Sequence, residues 1–331
     1  MRVPELNEEK SWMAAHIYYS EPWENLLIKG LFPLIMSEDF RKSMDQFFFI
    51  RFWERGPHIR LRVKGEEKVL EDTLKPLVSA HFNSYFTSYS SKRNGFNEQD
   101  ISGWYDNNSI QYLSYDPEIV RYGGASLLPL AEKQFQASSF AVLSLLRDNS
   151  EEWDYSSALG AGIQLHLSFA FAAGMNEREV LLFFNQVFQN WFPRAYQVYA
   201  ENITKRELNE RKHHTLKVFK SNLDAQKEVL IPHVKTVWQA LRRGEGFEND
   251  ILNDWIISNQ KITKEMTNEV NSDRFSFPSL FKVYKTLETS EQNQRLWSVY
   301  DSLIHMTNNR LGIRNHDEGY LAYLMYESFK A

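Results

Sequence analysis

The chain has 331 residues, of which 43% are hydrophobic and 24% charged, a composition that is typical of a folded globular protein and argues against a disordered chain. Its 38 Lys and Arg residues against 43 Asp and Glu residues leave a net charge of −5, which argues against direct binding of nucleic acid because such proteins normally carry a basic excess. Cysteine is absent, so disulfides, thiolate nucleophiles and thiolate zinc sites are excluded.

The start of the chain, residues 1–10, is polar and acidic and lacks the cationic segment and apolar run of a secretory signal. The longest apolar stretch, 158–174, is interrupted by Gln164 and His166 and is shorter than the ~20 residues that a membrane-spanning helix needs. We therefore expect a cytoplasmic protein without a membrane span.

Two periodicities alternate in residues 1–116. Strand-like and helical patterns predict, in chain order, a strand over 12–20, a helix over 22–37, strands over 46–54 and 58–64, a helix over 66–86 and a strand over 110–116. The order β-α-β-β-α-β is that of a ferredoxin-like layer. Residues 88–109 show no period and predict a long loop, of the kind that is often functional.

After Gly124 the patterns are helical to the end of the chain. They predict helices over 126–147, 155–174, 176–192, 201–243, 249–259, 279–286, 291–307 and 316–329. The predicted fold class is therefore α+β, with a ferredoxin-like subdomain over 1–116 packed against a mainly helical subdomain over 117–331. No Gly- or Pro-rich linker separates the two, so we expect them to share one interface.

The predicted hairpin carries the clearest chemical pattern. Because side chains alternate along a strand, its second strand presents one entirely basic face, made of His58, Arg60, Arg62 and Lys64. If the opposite face joins the core together with Phe48, Ile50 and Phe52, Arg51 lies on the basic face, framed by Phe47, Phe49 and Trp53. Such a surface would bind an anion, although the solvated face of an antiparallel sheet can show the same pattern.

Two further segments are candidates for chemistry. Arg121 precedes Gly123 and Gly124, which suit a tight turn with positive φ at the start of a helical segment. Asp301 and His305 are four residues apart on a predicted helix, so the carboxylate could orient the imidazole as a general base. Both patterns are also common in purely structural roles.

The other histidines and the basic stretch are less informative. His166 is expected to be a hydrogen-bonded core histidine, and His213 and His214 lack acidic neighbours at ligand spacing, so no metal site is predicted. The Lys- and Arg-rich stretch 205–243 is interleaved with acids and reads as a solvated helical face. No phosphate-binding or acyl-hydrolase motif is present.

Three segments stand out together: FFFIRFWERGPHIRLRV at 47–63, YDPEIVRYGG at 115–124 and HMTNNRLG at 305–312. In this order and with these separations they resemble the elimination domain of class I lantibiotic dehydratases, a family that includes free-standing thiopeptide-type bacteriocin biosynthesis proteins. The likeness covers nearly the whole chain.

The resemblance implies a lyase that acts on a ribosomal precursor peptide, recognised through its leader, whose Ser or Thr side chains carry glutamate esters. Expulsion of glutamate leaves dehydroalanine or dehydrobutyrine, with no cofactor and no metal. In full-length dehydratases a larger glutamylation domain precedes this one, so the resemblance implies a separate, tRNA-dependent glutamylation enzyme as partner. It also implies a homodimer, as in relatives that self-associate.

The family pattern also implies roles for individual residues. Arg60 and Arg62 match its strand arginines, Arg121 its RYGG arginine and His305 its C-terminal histidine. The expected catalytic residues are Arg62, Arg121 and His305, and the expected substrate-binding residues are Arg51, Arg60 and Arg121. Such a reaction needs a base for the Cα proton and cations for the enolate oxygen and the leaving carboxylate, and arginine suits both oxyanions.

Two alternative functions are open. A pyridine synthase of the same family would join two dehydroalanines by a formal cycloaddition and would need no cationic pocket for glutamate. A non-catalytic partner would bind the leader peptide at a sheet edge, with 88–109 as a contact loop or a lid.

Overall fold

The computed structural model of the chain describes residues 10–94, 102–197 and 203–331, with the exception of the side chains of residues 279, 280 and 282. The predicted polar start of the chain and the centre of the predicted loop 88–109 lie outside these residues. The fold is α+β, 66% helical, with a small antiparallel sheet of four strands. In the part of the chain that the structure describes, no helix is long and apolar enough to cross a membrane.

Two compact units divide the chain. Unit 1 comprises the described residues up to Pro117 together with Ser138–Glu151, and unit 2 comprises Glu118–Ala137 and Glu152–Ala331. The division falls inside one long helix, whose first half belongs to unit 2 and whose second half belongs to unit 1.

The sheet of unit 1 is formed by β1 (Lys10–Tyr18), β2 (Gln46–Phe52), β3 (His58–Glu66) and β4 (Ser109–Tyr112). The strand order is β2–β3–β1–β4, and every neighbouring pair is antiparallel. One face of β3 buries Ile59, Leu61 and Val63 completely. This apolar row belongs to the core of unit 1 and leaves the alternate residues of β3 on the opposite face.

Along the sequence, one helical segment of unit 1 lies between β1 and β2 and another lies between β3 and β4, as predicted. A π-helical turn over Leu26–Leu31 leads into α1 (Phe32–Met36) and α2 (Glu38–Ser43), and α3 (Glu67–Val69) leads through a second π-helical turn, Leu70–Leu74, into α4 (Lys75–Ser88). Ser37 separates α1 from α2: its extended backbone ends the first helix, and its hydroxyl accepts a hydrogen bond from the Phe40 amide at the start of the second.

The register of the hairpin places Arg51 on the face opposite to the predicted one. The five residues between β2 and β3 bring Phe52 opposite His58, so Ile50 lies opposite Arg60 and Arg51 lies opposite Ile59. Directly opposed residues share a face, and a shift of one residue moves every side chain of a strand to the other side. The prediction that Arg51 joins the basic face is therefore wrong, and aromatic Phe48 and Phe52 lie on that face instead.

Unit 2 is helical. Its helices are α5 (Leu128–Asp148, shared with unit 1), α6 (Tyr155–Ala172), α7 (Glu177–Tyr196), α8 (Lys205–Asp224), α9 (Lys227–Arg242), α10 (Asp250–Glu269), α11 (Glu291–Leu311) and α12 (Asn315–Lys330), with 3₁₀ helices over Ile119–Tyr122 and Ser279–Thr286. The single helical stretch predicted over 201–243 is two helices, and its first residues lie outside the described ones.

Helix α12 packs closely on α7. A Cβ added to Gly319 would lie 2.9 Å from the backbone of Phe192, and Phe188 contacts Tyr323 with ring centroids 5.3 Å apart. The two helices can approach this closely because glycine has no side chain at their crossing. This pairing fixes α12 beside α11 and α7, which carry the polar groups described next.

Candidate functional site

In unit 2, His305 on α11 is held by a carboxylate from the next helix. Its Nδ1 lies 2.8 Å from Oε1 and 3.1 Å from Oε2 of Glu318 on α12, and Glu318 is 2% exposed. An ionised carboxylate only accepts hydrogen bonds, so Nδ1 carries the ring proton and Nε2 is left as the basic atom. This arrangement is that of a general base whose tautomer is set by its carboxylate partner.

Asp301 does not contact His305, contrary to the expectation from their spacing. Its carboxylate accepts hydrogen bonds from Trp191 Nε1 at 2.6 Å, Asn190 Nδ2 at 2.7 Å and the Tyr284 hydroxyl at 2.9 Å. Burial raises the pKa of Asp301 to about 6, although the three hydrogen-bond donors each lower it. Asp301 supports His305 indirectly, because the Trp191 ring to which it is hydrogen-bonded stacks on His305 with centroids 4.4 Å apart.

A buried chain of hydrogen bonds continues behind Glu318. Asn308 Nδ2 donates to Glu318 Oε2 at 3.1 Å, and Asn308 Oδ1 lies 2.8 Å from His166 Nε2. Burial lowers the pKa of His166 to about 4, so the ring is neutral near pH 7 and donates to the amide oxygen. His166 is thus the hydrogen-bonded core histidine that the sequence predicts. It is the last member of the series of hydrogen bonds that runs from Glu318 through Asn308.

Arg121 lies in the 3₁₀ helix that precedes the two glycines. Gly123 and Gly124 have φ values of 86° and 101°, and a Cβ on Gly124 would lie 2.7 Å from the carbonyl oxygen of Arg274. The turn therefore requires glycine for both conformation and space. It places Arg121 Nε 3.3 Å from Ser302 Oγ on α11 and Nη1 3.1 Å from Glu118 Oε2.

A cavity of about 300 Å³ brings these groups of unit 2 together. It is lined by Arg121, Asn190, Trp191, Arg194, Phe281, His305 and Asn315. Two of the predicted site residues, Arg121 and His305, therefore converge although 183 intervening residues separate them in the sequence. Its size suits a small polar group, and two guanidinium groups and an imidazole favour an anionic one.

Several residues of this site were not predicted. Glu318 is the main example, because its partner lies on a different helix and no spacing rule connects the two. Asn190, Trp191 and Arg194 lie within one turn of α7, and Arg194 next to Pro193 in an otherwise aromatic segment is the only sequence signal that could have drawn attention to them.

In unit 1, Arg60 is half-buried on the basic face of β3. Its Nε donates to His58 Nε2 at 3.1 Å, its Nη2 lies 3.1 Å from Glu54 Oε2, and its guanidinium carbon lies 3.5 Å from the ring centroid of Phe52. Burial lowers the pKa of Arg60, and the contact with Glu54 partly offsets this. Since Glu54 is exposed, it is a partner that an incoming anion could replace.

Arg62 lies on the same face and is more deeply buried, with 5% of its surface exposed. Its guanidinium lies over the Tyr115 ring, 5.5 Å from the centroid. Burial, and then the charge of Arg60, lowers its pKa to about 10, so it stays cationic at neutral pH. Among the residues that the structure describes, no carboxylate lies within ion-pair distance of it.

Two histidines also lie on this face: His58, which the sequence places there, and His16, which was not singled out for a role. His16 on β1 lies opposite Arg60, and its ring stacks on His58 with centroids 5.0 Å apart. Burial, followed by the charges of Arg62 and Arg60, lowers the pKa of His16 to about 2, and burial lowers that of His58 to about 4. Both rings are therefore neutral at physiological pH.

Arg51, a predicted substrate-binding residue, is buried on the opposite face of the sheet. Its Nη1 forms an ion pair with Glu24 at 2.9 Å, and its guanidinium lies over the Trp23 ring, 5.9 Å from the centroid. These contacts account for Arg51 as part of the core of unit 1. Of the three arginines that were predicted on the basic face, only Arg60 and Arg62 lie there.

Residues 10–94, 102–197 and 203–331 contain no cluster of three or more His, Asp or Glu side chains that could hold a metal ion. The predicted site residues on the basic face and at the cavity are Arg60 and Arg62 in unit 1, and Arg121 and His305 in unit 2.

Comparisons with known proteins agree on one family. The family model described as lantibiotic biosynthesis dehydratase C-term matches residues 12–329. The nisin biosynthesis protein NisB of Lactococcus lactis subsp. lactis is 24% identical over 328 residues, which cover 96% of this chain and 25% of NisB. The chain therefore spans about a quarter of the length of this relative.

Two solved structures share the fold. The pyridine synthase TbtD from thiomuracin biosynthesis superposes with a TM-score of 0.71 at 14% identity, covering 96% of this chain and 97% of TbtD. The tRNA-dependent lantibiotic dehydratase MibB from Microbispora sp. 107891 superposes with a TM-score of 0.52 at 17% identity, covering 99% of this chain and 28% of MibB.

Proposed function

The chain belongs to the lantibiotic biosynthesis dehydratase C-terminal family, and we propose that it is the glutamate-eliminating lyase of such a system. Its substrate would be a ribosomal precursor peptide with glutamate esterified to Ser or Thr. Loss of glutamate leaves dehydroalanine or dehydrobutyrine. The observation that carries this proposal is the convergence of Arg121 and the His305–Glu318 pair on one cavity of about 300 Å³.

In the proposed reaction His305 acts as the base. Its Nε2 takes the Cα proton of the esterified residue, the electron pair of that bond forms the Cα–Cβ double bond, and the Cβ–O bond breaks so that glutamate leaves as a carboxylate. The imidazolium that forms is stabilised by Glu318, which already contacts Nδ1 at 2.8 Å. No strong general acid is needed because a carboxylate is a stable leaving group.

The arginines supply the positive charge that this reaction needs. We assign Arg62 to stabilisation of the developing negative charge, and Arg60 and Arg121 to recognition of the glutamyl group. Arg121 lines the same cavity as His305, and the low accessibility of Arg62 strengthens its interaction with any anion that reaches it. Arginine keeps its charge near neutral pH and can bind a carboxylate through two hydrogen bonds.

We also infer the partners from the family. They are the precursor peptide, with its leader and glutamylated core, and a separate tRNA-dependent enzyme that adds glutamate. The homodimer and the cytoplasmic location stay predictions from the sequence. The ferredoxin-like description of unit 1 is likewise our inference, supported by the element order β-α-β-β-α-β and by the sheet order β2–β3–β1–β4.

A pyridine synthase is the second candidate. The observation in its favour is the fold shared with TbtD over nearly the full length of both chains. Arg62, which is buried without a carboxylate partner among the described residues, favours elimination instead, because the joining of two dehydroalanines releases no glutamate.

The two candidates and the non-catalytic alternative are separated by mass spectrometry of peptides incubated with the purified protein. A glutamylated precursor should lose glutamate without added tRNA. Macrocycle formation with release of the leader from a fully dehydrated peptide would support the pyridine synthase. A glutamylated peptide that binds but stays unchanged would support a docking role.

Variants test the proposed site in the same assay. Arg62→Ala and His305→Ala should each lower the elimination rate by at least ~10²-fold, because both groups act on charge or protons in the transition state. Lys212→Ala, at an exposed position of α8, is the control for loss of a positive charge and should keep the normal rate. Normal rates for both site variants would reject the proposed site.

A further inference from the structure

Unit 1 carries two buried polar side chains, His16 and Arg62, whose hydrogen-bonding groups are only partly used. They share one face of the sheet, because Ala14 lies opposite Arg62 and His16 lies opposite Arg60 across β1 and β3. His16 is 3% exposed and Arg62 5% exposed. Within the described part of the chain, neither ring nitrogen of His16 has a hydrogen-bond partner. The same is true of Nη1 of Arg62.

The other arginines of this sheet show what a structural role requires. Arg51 is equally buried and forms an ion pair with Glu24 at 2.9 Å, and Arg60 contacts Glu54 at 3.1 Å. Arg62 has the Tyr115 ring beside it but, among the described residues, no carboxylate. A buried charge without a countercharge and a buried polar group without a partner both destabilise a fold, so a site that keeps them together points to a ligand that satisfies both.

The ring of His16 is held in a fixed plane. It stacks on His58 with an interplanar angle of 18°, and His58 is itself fixed, because Nδ1 contacts the Gly56 carbonyl oxygen at 2.8 Å and Nε2 accepts from Arg60 at 3.1 Å. The low pKa of His16 keeps its ring neutral. A neutral imidazole always offers one N–H donor, and it does not repel the neighbouring guanidinium.

We propose that His16 and Arg62 together bind one carboxylate group, with Arg62 Nη1 supplying the charge and a ring N–H of His16 supplying a second hydrogen bond. The ligand class is a small aliphatic carboxylate. The identification of that carboxylate with released glutamate rests on the function proposed above. His16 is then a substrate-contacting residue that adds directional binding without a second positive charge.

Glutarate is the probe for this site, because it presents carboxylates on an aliphatic chain and cannot undergo elimination. Protein labelled with ¹⁵N-histidine should show a shift of one pair of ring nitrogen signals on addition of glutarate, and those signals should be missing in His16→Phe. By calorimetry, His16→Phe and Arg62→Met should each raise the glutarate dissociation constant by ~10-fold or more, as expected for loss of a charge-assisted hydrogen bond.

Two further variants make the result specific. His16→Asn keeps a side-chain N–H donor and should retain more of the affinity than His16→Phe. Lys68→Gln removes a positive charge from an exposed position of α3 in unit 1 and should bind glutarate with nearly the wild-type constant. Thermal unfolding of each variant verifies that it is folded.

Three results would overturn the proposed carboxylate site: no binding of glutarate, an unchanged dissociation constant in His16→Phe, or an equal loss of affinity in Lys68→Gln, which would indicate a general charge effect. Parallel elimination assays separate this inference from the proposed function. Glutarate binding that depends on His16 in a protein without elimination activity would remove the function and keep the site. If the protein eliminates glutamate but the His16 substitutions leave glutarate binding unchanged, the proposed function is kept and the carboxylate site is rejected.

Discussion

At the scale of single residues, the orientation of His305 depends on one carboxylate. Glu318→Gln keeps the shape of the side chain but replaces one accepting oxygen with a donor, so it no longer stabilises the imidazolium that proton transfer creates. We expect the rate of elimination at saturating peptide to fall about tenfold or more, with little change in KM. Glu327→Gln, on the same helix and paired with Lys330 at the surface, is the matched control, and an unchanged rate in Glu318→Gln would contradict the assigned role.

Asp301 gives a prediction about stability rather than rate. Burial raises its pKa to about 6 from the ordinary value of 3.8, so the folded protein holds this proton more tightly than the unfolded chain does. The contribution of the group to stability is therefore fully present below about pH 4 and is lost as the pH rises through about 6.

Asp301→Asn removes this proton linkage. The free energy of unfolding of the wild type minus that of the variant should fall by roughly 2 to 3 kcal/mol between pH 4 and pH 7. Urea unfolding at a series of pH values measures this difference. A difference that stays constant over that interval would show that the carboxyl holds its proton no more tightly in the folded protein.

At the scale of elements, the turn after Arg121 determines where that guanidinium lies. Gly124→Ala puts a Cβ 2.7 Å from the Arg274 carbonyl oxygen at a residue with φ of 101°, so it should destabilise the fold by at least about 2 kcal/mol and displace Arg121, raising KM for the glutamylated peptide.

Gly160→Ala is the matched control for this substitution. Gly160 lies in helix α6 with nothing near its Cβ position, so alanine there should be neutral or stabilise by ~0.5 to 1 kcal/mol. Equal effects of the two substitutions on thermal stability would show that the turn tolerates a side chain.

The elements themselves could be predicted from the sequence, but their pairings could not. Alternation and helical spacing predicted most strands and helices to within a few residues, because each depends on local pattern. The exceptions are α2, which was not predicted, α10, which continues to Glu269, and the stretch 201–243, which is two helices. The side of the sheet on which Arg51 lies depends instead on a hairpin loop of five residues, where one residue more or less exchanges the faces.

The partner of His305 shows the same limit. The predicted neighbour, Asp301, shares its helix, whereas the observed neighbour, Glu318, comes from the next one. Helical spacing describes only contacts within one helix. The packing of α11 against α12 determines which side chain contacts His305, and sequence periodicity does not predict how two helices pack.

At the scale of the whole molecule, the residues that we assign to one reaction come from both units. Arg60 and Arg62 belong to the strand layer of unit 1, and Arg121 and His305 to the helical unit 2. The resemblance to the family needs all three motifs, because each alone is a pattern that ordinary sheets, turns and helices also show.

Participation of both units in one reaction is tested by a double-mutant cycle with Arg62→Ala and His305→Ala. The effects on rate of substituting two groups that act in the same transition state are strongly non-additive. Once the base is lost, the negative charge no longer develops in the same step, so the residue that stabilises that charge contributes little. We expect the double variant to be only slightly slower than the slower single variant.

Lys212→Ala combined with His305→Ala is the control, and its effect on the rate should be the product of the two single effects. If the effects of Arg62→Ala and His305→Ala multiply instead, the two residues serve separate steps, and unit 1 contributes to binding of the peptide rather than to breaking of the ester bond.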